Sequence, residues 1–377
     1  MSIYDSAKGY LDNFINHKIK TYDKKRNYDY GPGSHDNVSN LSKFISHRVL
    51  LEYDVITQSL KRFRYYEIEK FIQEVFWRVY WKGWLEHRPK VWDDYINYDI
   101  SNQDEPIYHD AISANTDIEC FNSWVNELVE TNYLHNHARM WFASIWIFTL
   151  KLPWQAGANF FLKHLFDGDA ASNTLSWRWV AGLQTIGKHY EATSDNIYKF
   201  TNNRFKPHNL AKDSVPLSED KTYDIKELGY KTSIKKSDSL VIFDNNLQIG
   251  DYSNYKNIYL VLLNEKERKA SLSDKVYAFK RMLISEFAGI YPQSKIISGN
   301  DLTNLLTTEE ITDIVYPCVG DNLTFLNNIA DTKATKNFLY LDKDLYCWRY
   351  AKKGFFNFKK NIPSIIKKFN GTQDMFL

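Results

Sequence analysis

An α-helical bundle followed by a smaller α/β domain on a parallel sheet is the fold class this sequence predicts, and three observations predict it. The chain has 377 residues, too many for one ordinary core and enough for two. Apolar residues between positions 41 and 200 recur at helical spacing. After residue 236, short β-rich runs alternate with helical stretches, the order that crossover helices on a parallel sheet produce.

The helical signal is clearest at Phe121, Trp124, Val125, Leu128 and Val129, one stripe at i, i+3, i+4, i+7 and i+8, with Asp117 as its cap. RMWFASIWIFTL, from Arg139, is apolar nearly all the way round and reads as a helix at the centre of a bundle. Pro153 suits a first helical turn, so PWQAGANFFLKHLF is the next helix, ended by Asp167-Gly168-Asp169. Residues 1–205 form the all-helical domain on this reading. Residues 206–236 are polar, hold two prolines and lack a sustained period, so they are the expected linker. From 237 to 377, SLVIFD, NIYLVLL, SKIIS and VYPCV read as strands, and KVYAFKRMLISEFAG and DLTNLLTTEEITDI as helices. That alternation makes a Rossmann-like domain.

Composition narrows the function classes. With 44% apolar and 25% charged residues the chain is globular, and its unusual feature is 16% aromatic residues, 11 of them Trp. Cys120, Cys318 and Cys347 are scattered and form no CxxC pair, which argues against a disulfide framework or zinc ribbon. The N-terminus has no secretory pattern, and Trp141 to Leu150 is about half of a membrane span. A cytoplasmic protein, a monomer without membrane contact, is expected. Net charge is +2, so nucleic-acid binding would need a local patch. One such stretch is RYAKKGFFNFKKNIPSIIKK, from Arg349, where cations alternate with Phe. It suits single-strand binding and equally suits an amphipathic helix with lysines snorkelling over a core.

Four further motifs occur in order: YDKKRNYDYGPGSHDNVSNLS, EVFWRVYW, YLHNHARM and DGDAASNTLSWRW. Together the block from about Tyr22 to Trp179 resembles the FAD-binding helical domain of the DNA photolyase and cryptochrome family. The resemblance implies FAD folded inside the bundle. Tyr22, Ser39, Leu41 and Ser42 match positions holding its phosphates and ribityl chain, and Phe71, Asn136, Arg139, Asp167 and Asp169 match other flavin contacts. Asn173 matches the residue facing flavin N5, where photolyases carry Asn. Trp177 and Trp154 match the inner and middle members of an electron-transfer chain, with Trp81, Trp84, Trp92 or a tyrosine as its outer member.

On the substrate side, Glu74, Trp77, Arg78, Asn136 and Met140 match the lining of a cavity for a flipped-out pyrimidine dimer. The implied function is light-driven splitting of cyclobutane pyrimidine dimers in damaged DNA, single-stranded or locally open, by a deoxyribodipyrimidine photo-lyase. A cryptochrome-like blue-light photoreceptor and repair of (6-4) photoproducts are the alternatives.

The pattern also departs from the family. Asn40 and His137 stand where cations are common, Val79 where Glu is, and Phe71 where Trp often is, which puts duplex affinity in doubt. Family members place an α/β antenna domain first; here LVIFDNNLQIGD and GFFNFKK resemble its opening and closing segments, which suggests a circular permutation with that domain last. A second chromophore, folate or deazaflavin, is unassigned. Without the motifs, Trp154, Trp177 and Trp179 equally suit a bundle core, Asp167 and Asp169 a solvated turn, and Glu74, Arg78 and Arg139 ordinary ion pairs. His135 and His137, at i, i+2, point apart on a helix, so no metal centre is expected.

Overall fold

The computed structural model describes residues 2–100, 105–230, 234–330 and 333–370. Helices account for the chain up to Phe200. The long Tyr65–Glu86 helix runs through the bundle, opened by a capping box between Arg64 and Glu67. The Asn136–Ser144 helix continues into a π-helical turn at Ile145–Thr149, so the apolar run after Arg139 is two elements rather than one helix. Trp141, Phe142, Ile145 and Trp146 within it are fully buried, the central placement that an all-round apolar surface demands.

The Trp154–His164 and Ala170–Ala181 helices follow. Asp169 caps the second of these by accepting from Ser172 N at 2.7 Å, and Gly182, at φ 86°, closes it in the left-handed region. Two details here differ from expectation. The Glu119–Thr131 helix is capped at Ile118 rather than Asp117, because Thr116 and Asn122 satisfy this turn between themselves. An unanticipated helix, Ile3–His17, buries Ala7, Leu11, Phe14 and Ile15. Its spacing is amphipathic, but charged and polar residues dilute the stripe.

Residues 201–238 hold no helix or strand among those described. They lie along the helices through bonds such as Leu217 N to Ala181 O and Lys226 N to His87 O. The sheet then forms from β1 (Ser239–Phe243), β2 (Asn257–Val261), β3 (Ser294–Ile297), β4 (Ile311–Val315) and β5 (Thr335–Leu339). All pairs are parallel, in the order β3-β2-β1-β4-β5. The fourth strand is ITDIV, not the VYPCV predicted. Thr312 and Asp313 masked it, because their buried side chains break the apolar run while β4 pairs with β1. The fifth strand, TKNFL, is half-buried and carries too few apolar residues to announce itself.

Alternation on β1 divides its side chains. Leu240 and Ile242 join the core shared with the bundle, whereas Val241 and Phe243 face Leu302, Leu306 and Leu326. The buried apolar residues of the helical half and of the sheet's inner face therefore make one continuous cluster. The carboxyl ends of β1 and β4 point at the bundle, where His47 bonds Asp244 O and Phe166 O, and Glu86 accepts from Tyr316, Tyr230 and Val319 N. At the chain's far end, Ile362–Asn370 buries Ile362, Ile365 and Ile366 and leaves Lys367 and Lys368 exposed.

Candidate functional site

Three helices converge on one cleft of about 530 Å³, within the size range of small-molecule sites. The Tyr65–Glu86 helix contributes Glu74, Trp77, Arg78 and Trp81, a stripe at i, i+3, i+4 and i+7. Ala170–Ala181 contributes Asn173, Ser176, Trp177 and Val180 at the same spacing. The first turn of Asn136–Ser144 adds Asn136, His137, Arg139 and Met140. Each stripe sits opposite an apolar face packed in the bundle, so burial of one face aims the other.

Asp167 anchors the floor. Arg139 Nη2 lies 3.0 Å from each of its oxygens and Arg78 Nη2 at 3.6 Å. Burial alone would raise this carboxyl, but the Arg139 and Arg78 charges with the Ser42 hydroxyl outweigh it and hold it below the usual range. Its Oδ1 takes no aligned hydrogen bond. Arg78 Nη1 also donates to Ser46 Oγ, and Ser46 Oγ to Asp167 O.

Glu74 receives Arg26 Nη1 at 2.7 Å; burial pushes its carboxyl up and Arg26 opposes that. Asn173 donates from Nδ2 to Ala158 O at 2.9 Å, so the amide is turned with Oδ1 toward the cleft. Trp177 is buried, with Nε1 unpartnered. Gly157 permits this, since a Cβ there would come within 2.3 Å of the indole tip.

The structure thus brings together Glu74, Trp77, Arg78, Asn136, Arg139, Met140, Asp167, Asp169, Asn173 and Trp177. Tyr22, Ser39, Leu41, Ser42 and Phe71 do not line the cleft. Tyr22 and Phe71 meet edge to face at 5.4 Å and both pack on Phe14, Leu41 is fully buried, and Ser42 reaches the site through Asp167. Trp154 also lies outside, stacked on Tyr95 at 5.3 Å, with Trp92 5.5 Å beyond Tyr95. The indole beside Trp177 is that of Trp146, at 6.3 Å. Trp81 leans on Trp77 at 4.9 Å, and Trp84 lies under Arg88.

Sequence reasoning missed Arg26, Asn27 and Ser176 as cleft residues, and assigned no site role to Trp179, which lines the cleft. Arg26 stood in the quoted basic run, so a signal existed. Asn27 carried none; it appears because its carbonyl accepts from His137 at 2.8 Å. His137 also stacks on Trp141 at 4.1 Å, and burial lowers its pKa, so it supplies no cation in place of the missing arginine. Away from the cleft, Asp29, His35 and Glu127 form a buried group of metal-ligand types that spacing could not reveal. His35 Nε2 meets Glu127 at 2.7 Å and Asp29 pairs with Arg204 at 2.9 Å, so both carboxylates have protein partners.

Residues 71–208 match the family model described as the FAD binding domain of DNA photolyase. This stretch is similar to the FAD-binding domain of photolyases. The chain is 36% identical over 143 residues to the deoxyribodipyrimidine photo-lyase of Streptomyces griseus, covering 34% of this chain and 31% of that one. It is 28% identical over 179 residues to that of Agrobacterium fabrum, covering 46% and 36%. Among solved structures, a class III photolyase from Agrobacterium tumefaciens is 23% identical with TM-score 0.43, covering 53% of this chain and 42% of that one. A cryptochrome from Synechocystis is 20% identical with TM-score 0.47, covering 53% and 43%. The chain thus spans well under half the length of these relatives.

An isoalloxazine edge presents N–H donors and carbonyl acceptors, and the cleft lining offers such a group the Asp167 carboxylate, the Asn173 amide and the Arg78 and Arg139 guanidiniums. No helix among the described residues is long and apolar enough to cross a membrane.

Proposed function

We propose that this protein is a light-driven DNA-repair lyase that splits cyclobutane pyrimidine dimers in single-stranded or locally opened DNA. The single observation that carries the reading is the convergence of Trp77, Glu74 and Asn136 with Asn173, Asp167 and Trp177 in one cleft. A wall that suits two linked, unstacked pyrimidines of one strand and a wall that suits a flavin then share one opening. Reduced FAD, when bound and excited, supplies the electron that opens the cyclobutane ring.

The chain's own residues do the rest. Trp77 offers a stacking face to an extruded dimer, whose poor stacking in DNA makes extrusion cheap. Glu74, buried with a raised pKa and held by Arg26, presents a carboxyl to the polar edge of the pyrimidines. Asn136 and Met140 complete that wall. Asn173 offers an amide, which accepts from a protonated ring nitrogen and does not repel an anionic one as a carboxylate would. Asp167, pinned by Arg139 and Arg78, fixes a negative charge at the flavin edge, flanked by Asp169 in the cleft wall and by Ser42, which acts through Asp167. Trp177, with Trp154 or Trp146 behind it, relays electrons inward.

Asn40 and His137 leave two phosphate contacts unmade, which favours targets whose strands are already separated. The α/β half is read as an antenna-like domain placed after the helical one. Illumination of the purified protein with a short single strand carrying one thymine dimer tests the reading. Loss of the dimer in blue light and not in darkness is expected. Photoreduction of the flavin with the dimer intact would replace this reading with a light sensor.

A further inference from the structure

We infer that Phe355, from the far end of the chain, is a positioning residue that holds Trp77 flat as the stacking platform of the cleft. The inference rests on the reading above and adds a role for a segment that the matched helical domain does not contain.

The geometry begins with Trp77, which sits at a border on its helix. Its neighbours Glu74, Arg78 and Trp81 face the cleft, while Phe76 and Tyr80 face the short Phe355–Lys359 helix. The Phe355 ring lies on the Trp77 indole with centroids 3.7 Å apart and planes 12° from parallel. No other ring pair in the described structure is as close. Trp77 lines the cleft, and Phe355 does not. Phe355 therefore lies beyond the indole as seen from the opening, and the face toward the opening is left for a ligand.

Phe355 is itself fixed. It is buried, meets Tyr80 edge to face at 5.4 Å and lies parallel to Phe358 at 6.0 Å. The loop before it is tied to the Trp77 helix by Tyr80 Oη to Lys353 O at 3.0 Å, and Arg88 Nη2, just past that helix, donates to Lys352 O at 2.8 Å. Lys359 meets Glu69 at 3.4 Å one turn and more toward the helix start. A large ring on a half-buried helix position otherwise samples several rotamers, and immobilising it on binding opposes affinity. Holding the indole against Phe355 removes that cost before the ligand arrives, and an edge contact from Tyr80 and a tilted contact from Trp81 further restrict rotation.

The test uses the full chain with FAD bound and two short single strands, one carrying a thymine dimer and one undamaged. Phe355→Leu is expected to weaken the damaged strand about two- to tenfold, the cost of ordering one large side chain, while binding of the undamaged strand and the flavin absorption spectrum stay unchanged. Phe355→Tyr is expected to restore the affinity, because a ring is again present. If Phe355→Leu unfolds, Phe355→Met keeps the volume without the flat face and carries the same expectation. Unchanged damaged-strand affinity in the Leu or Met variant, alongside a loss in Trp77→Ala, would overturn the inference and leave the repair reading intact. Equal losses on both strands would also overturn it. No loss even in Trp77→Ala would overturn both.

Discussion

Two regions of this molecule bury carboxylates among cations, and only one of them has the makings of a site. At the carboxyl ends of β1 and β4, Asp244 is pinned by Lys280 at 2.7 Å, by Arg268 at 3.5 Å and by Asn322 at 2.9 Å. The cavity beside it holds about 80 Å³, room for a few waters. In the bundle cleft, Asp167 is pinned as firmly by Arg139 and Arg78, but it borders about 530 Å³ and keeps an oxygen unmatched. Burial opposes ionisation in both places, and neighbouring cations override it in both. Unmatched polar atoms also line the seam, on Asn245, Asn246, Arg268 and Asn322, so what separates a site from a seam is neither the perturbed acid nor its leftover polar neighbours but the open volume.

That contrast can be broken first at the seam. Asp244→Ala leaves Lys280 and Arg268 buried without their counterion, and unfolding in urea should register a loss of about 3–5 kcal/mol. A loss under about 1 kcal/mol would mean that the seam is wetter than its geometry indicates. Next comes acid. Glu52 lies fully buried against Lys82 at 2.8 Å; burial opposes its charge, but Lys82 and Arg48 hold its pKa down to about 2 from 4.5. A depressed carboxyl stabilises above its unfolded pKa and loses that contribution as pH falls. Stability should drop by roughly 3 kcal/mol between about pH 4.5 and 2, and Glu52→Gln should flatten that part of the titration.

The cleft should behave differently, with smaller effects on folding and larger ones on ligands. Trp77→Ala should weaken dimer-containing DNA by about 1–3 kcal/mol in a filter or anisotropy assay. An equal loss on undamaged DNA would remove Trp77 from lesion recognition. Smallest is the rim: Asp169→Ala deletes one helix cap at the cleft's edge and should cost about 1 kcal/mol by thermal melting. A cost as large as that of Asp244→Ala would erase the distinction between the two regions.

Much of the helical half could be read in advance because its information is local. The stripes through Phe121 and Trp124, the Pro153 start and the Asp-Gly-Asp stop each depend on a few residues of spacing, and the motifs that carry Glu74, Asn136 and Asn173 preserve that spacing. The sheet half yielded β1, β2 and β3 for the same reason. It hid β4, where Asp313 is buried through partners distant in the chain, Asn337 and Tyr255, with Thr312 buried beside it, and β5, whose apolar content is too low. Contacts such as Arg26 with Glu74 or Phe355 on Trp77 join segments far apart in sequence, and no periodicity can announce them. The nearness of Trp146 to Trp177 was hidden for a related reason: it depends on the missing side chain at Gly157, a gap that spacing does not record.

The central claim is that the cleft holds a flavin dinucleotide between Asp167, Asn173 and Trp177. An absorption spectrum of the purified chain, followed by extraction of the chromophore, tests it most directly. Oxidised-flavin bands, bleached by blue light in the presence of a reductant and yielding FAD on denaturation, are predicted. A colourless protein that takes up no FAD on reconstitution would contradict the account.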